Sequence, residues 1–169
     1  MPEAAVAVAY VAAGSNLRPR SNLRAAVAAL AAAFPGLRVS RAYANAAVGF
    51  VGDDFINLVV AFETDEPLET LHERLKSIEL ACGRRRGGPR WGPRTLDLDL
   101  LLYGNHVGRF PGGDLPRADL AERAYVLGPL AELAPGLKHP VLGETFGALW
   151  RRFDRGAHAL REVSLEGED

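Results

Sequence analysis

Cysteine is all but absent. Cys82 is the single thiol in 169 residues, so no intrachain disulfide staples the chain, and that usage suits a reducing compartment. An excess of charge is missing too. The formal net charge is −1, which leaves no overall field to draw the chain to nucleic acid or to an anionic membrane. No run approaches the roughly 18–20 consecutive apolar residues of a membrane span. Residues Ala4 to Ala13 could pass for a signal-peptide core, but Glu3 sits where a positive charge is wanted and polar Gly14-Ser15-Asn16 follows, so they read as a buried strand. The expectation is a cytoplasmic monomer built as one domain over residues 1–163, long enough to bury roughly 70 % of its unfolded surface. An acidic tail, residues 164–169, lacks apolar spacing and is expected to fray.

The apolar periodicity switches between strand and helix. Ala5 to Ala13 reads as the first strand. Ser21 or Asn22 is the expected N-cap of a helix on which Leu23, Val27, Leu30 and Phe34 form one stripe, closed by Pro35-Gly36. Leu37 to Tyr43 reads as a second strand. Phe55 to Glu63 alternates, with Ile56, Leu58, Val60 and Phe62 on one face and Phe55 and Asn57 on the other. Pro67 fits the first turn of a second helix carrying Leu68, Leu71, Leu75 and Ile78, and Leu96 to Tyr103 is a fourth strand. Strand–helix–strand–strand–helix–strand predicts an α+β, ferredoxin-like antiparallel sheet with helices covering one face. Beyond Tyr103 the pattern weakens. Asn105 to Pro116 reads as a loop or weak edge strand, Leu120 to Leu133 as partly helical, and Thr145 to Phe153 as a short helix.

Chemistry concentrates in residues 83–104. Asp97 and Asp99 alternate with Leu96, Leu98 and Leu100, so both carboxylates leave one strand face with their bases roughly 6–7 Å apart. That separation suits a pair of hard cations, which lie about 3.5–4 Å apart in two-metal sites. The preceding loop, Gly83 to Thr95, holds Arg84, Arg85, Arg86, Arg90 and Arg94 and no acid. Guanidiniums match phosphate geometry. Carboxylates for metal beside guanidiniums for phosphate point to a nucleotide triphosphate site. The bland alternative is an exposed strand face with a solvated basic loop. Trp91 sits in that loop as a lid residue or, alternatively, as a core tryptophan. The four histidines are scattered without ligand spacing and receive no chemistry.

Trp91-Gly-Pro-Arg-Thr-Leu-Asp-Leu-Asp-Leu-Leu is similar to the signature of the 6-hydroxymethyl-7,8-dihydropterin pyrophosphokinase family. Further stretches resemble it in order: Tyr10 to Leu17, Phe55 to Thr64, Ile78 to Arg86, and Arg123 to Pro135. The resemblance implies transfer of the β,γ-diphosphate of ATP to the hydroxymethyl group of the reduced pterin in folate biosynthesis, with two Mg2+ ions and ATP as co-substrate. By position it implies Asp97 and Asp99 as metal ligands and catalytic residues, with Asp97 nearest the pterin hydroxyl. Arg84 and Arg94 match catalytic polyphosphate contacts, and Arg86 the mobile-loop arginine. Glu79, Leu100, Arg117 and Arg123 fall at ATP-side positions, and Asn45, Val48, Phe55, Asn57, Trp91 and Tyr125 at pterin-side ones. Glu79 alone is equally well a solvated helix carboxylate, and Phe55 and Tyr125 alone are ordinary core aromatics. Implied partners are small molecules, with weak association with other folate-pathway enzymes left open.

The chain departs from the family at two places. Asn45-Ala46-Ala47-Val48-Gly49 stands where Thr-Pro-Pro-Leu-Gly is usual; losing two prolines frees the loop and predicts weaker pterin affinity. Pro116-Arg117-Ala118 stands where Pro-His and an aromatic are usual, so Arg117 would have to supply the phosphate donor. These departures admit a weakened relative that binds nucleotide or pterin without efficient transfer. A ferredoxin-like nucleic-acid binder is a further alternative, disfavoured by two aspartates on the signature strand.

Overall fold

The computed structural model describes residues 6–45, 55–82, 96–154, 156 and 160–169. β1 (Ala7–Ser15) is the central strand. It pairs antiparallel with β4 (Phe55–Thr64) on one side and β5 (Asp97–Tyr103) on the other. Beyond β4 come β2 (Arg38–Val39), β3 (Ala42–Asn45) and finally β8 (Arg161–Val163), giving the order β5-β1-β4-β3-β8 with β2 also on β4. The first four segments of that path have the antiparallel ferredoxin-like order, and β5 is an edge.

The expected second strand is split. Ser40 interrupts it because its Oγ accepts the Val59 N–H at 2.9 Å, while its own N–H donates to the Val59 carbonyl at 2.9 Å. A side chain thus takes a ladder position, and β2 and β3 pair separately with β4.

α1 (Pro19–Ala33) begins earlier than an N-cap at Ser21 or Asn22 would have it. Pro19 occupies the first turn, where its missing N–H is harmless, and Arg18 turns the chain with φ 46°. Asn22 instead donates from Nδ2 to the Leu17 carbonyl at 2.6 Å. Leu23, Ala26 and Leu30 of α1 and Leu68, Leu71 and Leu75 of α2 (Leu68–Cys82) bury against Val11, Leu58 and Leu98 on one sheet face.

Helices cover the other face as well, contrary to the one-sided arrangement expected. α3 (Ala124–Leu133) and α4 (Phe146–Arg151) pack with Tyr10, Ala12, Val59, Ala61 and Leu101. The reason lies in β1, whose residues are apolar on both sides of the strand, as a doubly covered strand requires. A register shift of β5 against Tyr10/Val11 turns Leu101 and Leu102 to the α3 side together. Residues Asn105 to Pro116 contain a separate hairpin, β6 (Gly108–Phe110) and β7 (Gly113–Leu115). The tail lies on the start of α1: the Asp169 carboxylate accepts the Arg20 and Ser21 N–H groups, and Arg20 Nε donates to the Ser164 carbonyl at 2.9 Å.

One histidine has a structural task. His139 is 8 % exposed, and its Nδ1 accepts the N–H groups of Val141 and Leu142, each at 3.1 Å. Burial pulls its pKa below the ordinary value, and protonation at Nδ1 would abolish both bonds. Its contribution to stability is therefore complete above the unfolded imidazole pKa, about 6.5, and declines as pH falls through that value. Thermal unfolding midpoints are expected to drop between pH 7.5 and 5.5 in the wild type and less in His139→Asn. Equal drops in both proteins would remove this role.

Candidate active site

Strand parity decides where the predicted residues go. Leu98 and Leu100 face α2, so Asp97 and Asp99 project to the opposite face, shared with Asn57 of β4. Gly14 of β1 is the Cα partner of both Asn57 and Asp97. Asn57, Gly14 and Asp97 therefore form one row across three strands. The row is shaped by the absence of a side chain: a Cβ on Gly14 would lie 2.4 Å from Asn57 Oδ1. Asn57 is 8 % exposed, and its Nδ2 donates to Asn45 Oδ1 at 2.6 Å. Phe55 is half-buried two residues away on the same face, and Tyr125 is half-buried in the first turn of α3, which packs on that face. Asn45, Phe55, Asn57, Asp97 and Tyr125 thus lie on one side of the sheet.

Asp99 lies one step along β5, opposite Ala12. Its Oδ2 is 3.5 Å from Arg117 Nη1. Arg117 is in turn held by Asp119. Nε stands 2.7 Å from Oδ1 as an ion pair without hydrogen-bond alignment, while the directed bond runs from Nη2 to Oδ2 at 3.5 Å. Asp119 Oδ2 also accepts from Arg123 Nε at 3.3 Å. Arg117 and Arg123, separate in the sequence reading, are thus joined by a carboxylate that the sequence did not single out.

A cavity of about 450 Å³ runs along the open edge of β5, lined among others by His72, Lys76, Asp99, Phe110, Arg117 and Asp119. Leu98 and Leu100 also line it. Leu98 pairs with Ala13 and Leu100 with Val11 before the register shift, so by the two-residue period of an antiparallel ladder the Leu100 N–H points the same way as that of Leu98, outward from the sheet. This gives Leu100, a buried side chain, a backbone route to a ligand. A larger cavity of about 590 Å³ lies between β3, α3 and α4, beside Tyr43 and Glu132, and none of the predicted site residues lines it. Burial, with the hydrogen bond to Glu132, pushes the Tyr43 phenol up to about 12 there.

Glu79 is not a solvated helix carboxylate. It is 2 % exposed, its Oε1 accepts the Leu98 N–H at 2.6 Å, and Lys76 Nζ donates to both its oxygens at 3.2 and 3.3 Å. Leu98 sits between the two aspartates, and its N–H points away from β1 at the sheet edge. Glu79 therefore pins to α2 the backbone from which both carboxylates spring. Glu79→Ala would leave that buried N–H unpaired, a loss of about 1–3 kcal/mol. Lower unfolding midpoint and reduced turnover together are the expected result, with Glu79→Gln, which keeps the acceptor, recovering most of both. An alanine variant with wild-type stability would exclude the clamp.

Oxygen-only donors spaced along one strand fit magnesium, which keeps several waters and takes phosphate oxygens for the rest of its shell. Among the described residues no cluster of three or more His, Cys, Asp or Glu is placed to hold a metal, so nothing described there offers an all-protein cage. Arg84, Arg86, Trp91 and Arg94, together with Val48 and the 46–49 departure, lie outside the described residues. Among the described residues no helix is long and apolar enough to cross a membrane.

Comparison with known proteins adds to this geometry. The family profile described as 7,8-dihydro-6-hydroxymethylpterin-pyrophosphokinase (HPPK) matches residues 10–135. A Pseudomonas aeruginosa 2-amino-4-hydroxy-6-hydroxymethyldihydropteridine pyrophosphokinase is 44 % identical over 137 residues, covering 78 % of this chain and 83 % of the relative. The Methylorubrum extorquens protein of the same name is 40 % identical over 133 residues, covering 76 % and 84 %. Among solved structures, an HPPK-DHPS in complex with substrates matches with TM-score 0.67 at 13 % identity, and wild-type Plasmodium falciparum HPPK-DHPS with pteroate with 0.65 at 13 %. These matches cover 90 % of the chain, which spans 44 % and 43 % of those longer proteins, and they speak to the fold alone.

Proposed function

Since the chain belongs to the 7,8-dihydro-6-hydroxymethylpterin-pyrophosphokinase family, we propose that the Asn57–Gly14–Asp97 row receives the reduced pterin and the cavity along the β5 edge receives ATP. The activity is pyrophosphokinase chemistry in folate biosynthesis. The pterin hydroxymethyl oxygen attacks the β-phosphorus of ATP, the bond from that phosphorus to the α,β-bridging oxygen breaks, and AMP departs. The hydroxyl proton leaves as the new P–O bond forms, and Asp97 is the carboxylate in position to orient or accept it. Asn57 donates and accepts at once, which suits the amide-like edge of a pterin, and Phe55 and Tyr125 supply apolar ring faces. Arg117 and Arg123, with Arg84, Arg86 and Arg94 of the preceding loop, supply guanidiniums for the polyphosphate. Trp91 and Val48 complete the pterin side. Glu79 serves the ATP side through the backbone of Leu98. Divalent cations held by Asp97 and Asp99 would neutralise the polyphosphate and align it with the hydroxyl.

The observation that carries this reading is the in-register row across three strands, ending in Asp97, next along β5 to Leu98 and Asp99, which line the edge cavity. A coupled assay tests it. With magnesium, ATP and 6-hydroxymethyl-7,8-dihydropterin, AMP is expected in equal amount to pterin diphosphate, and only when pterin is present. ADP in place of AMP, or no nucleotide product, would overturn it.

A further inference from the structure

The Arg117–Asp99 contact does more than add a phosphate donor. Arg117 is fixed at both ends. Its backbone N–H donates to the Leu101 carbonyl at 3.0 Å, which ties the loop to the β5 edge two residues from Asp99. Its Nε stands against Asp119 Oδ1 at 2.7 Å. From that anchorage Nη1 reaches Asp99 Oδ2 at 3.5 Å. The pair is partly screened: Arg117 is 28 % and Asp99 47 % exposed at the side chain. Asp99 is one of the two aspartates proposed to hold a hard cation, and a guanidinium at that oxygen opposes a cation electrostatically and by occupancy.

From this geometry we infer that Arg117 is a built-in counter-ion of Asp99, displaced when nucleotide arrives, so that nucleotide and divalent cation enter the site as coupled ligands. The inference rests on the reading of Asp99 as a cation ligand. Polyphosphate offers Arg117 a denser negative charge than one carboxylate and a matching fork geometry. The tether to Asp119 keeps the guanidinium within the same cavity when it leaves Asp99. Arg123 shares that carboxylate through Oδ2, so the anchor stays charge-paired while Arg117 shifts. Whatever removes Arg117 from Asp99 raises cation affinity, and by linkage cation raises nucleotide affinity by the same factor. Arg117 is thereby a positioning residue for Asp99 in the empty site and a phosphate ligand in the filled one.

The test is Mn2+ binding read by the electron paramagnetic resonance of free Mn2+, on intact protein without turnover. Without nucleotide, Arg117→Gln is expected to bind Mn2+ about tenfold more tightly than wild type, and Arg117→Lys to fall between them. With a non-hydrolysable ATP analogue the order reverses, because the glutamine variant has lost a phosphate contact. Asp99→Asn should abolish the gain seen in Arg117→Gln when the two are combined. Thermal unfolding establishes that each variant is folded, and Arg117→Lys carries the comparison if the glutamine variant is not. Nucleotide-free Mn2+ affinity equal in wild type and a folded Arg117 variant overturns the inference. If that happens while wild type still releases AMP with pterin, the inference alone fails. If the Mn2+ effect is present and AMP release is absent, the pyrophosphokinase reading fails instead.

Discussion

Asp97→Asn and Asp99→Asn are each expected to lower kcat by about 10³-fold while leaving the fold intact. Either change keeps the side chain's shape and removes one negative charge from a partly exposed strand face, so the core on the α2 side, built on Leu96, Leu98 and Leu100, is untouched. Several kcal/mol of transition-state charge stabilisation is the usual contribution of a cation site, and each 1.36 kcal/mol is tenfold in rate. The two variants should differ in a second measurement. Asp97 lies in the row with Gly14 and Asn57, whereas Asp99 lies one step along, paired with Arg117. Pterin binding, followed by its fluorescence in the presence of the ATP analogue, is therefore expected to weaken in Asp97→Asn and to hold in Asp99→Asn. Retained turnover in either variant, with magnesium as the divalent cation supplied, would take the aspartate pair out of the chemistry.

The parts of this molecule that were legible in sequence are those in which a local period carries the information. Asp97 and Asp99 alternate with buried leucines, and the strand places them as the period says. Leu23 to Leu30 and Leu68 to Leu75 gave both helices of the first layer. The second helical layer was also written in the chain, but in a different signal: Ala7 to Ala13 is apolar without alternation, and such a strand is buried on both faces. What the sequence hid depends on partners distant along the chain. Glu79 reads as surface on its own helix, and its burial is explained by the Leu98 N–H at the edge of β5, which donates to it. Ser40 breaks a strand because Val59 is opposite it. Asp119 matters because two arginines, at positions 117 and 123, converge on it. Arg117, marked by the sequence as a departure, became informative once its neighbour Asp99 was in view.

Gly14→Ala should be the most damaging single-methyl change in the site. Gly14 falls just past the Ala5–Ala13 strand expected from sequence, yet it is within β1 and forms the floor between Asn57 and Asp97. A glycine inside a strand marks a close approach. Real Cβ contacts do not reach 2.4 Å, so alanine forces the Asn57 amide away. That movement breaks the 2.6 Å bond to Asn45 and withdraws the group proposed to read the pterin edge. Loss of buried hydrogen-bond partners of this kind costs about 1–3 kcal/mol, which is roughly 5- to 150-fold in kcat/KM for pterin. ATP affinity should be unchanged, since the edge cavity lies beyond β5. A double-mutant cycle isolates the cause. In an Asn57→Ala background the new methyl has room, so Gly14→Ala should add almost nothing to the loss already present. If the two losses instead add in full, the collision with Asn57 is not the mechanism, and Gly14 acts through the backbone of β1.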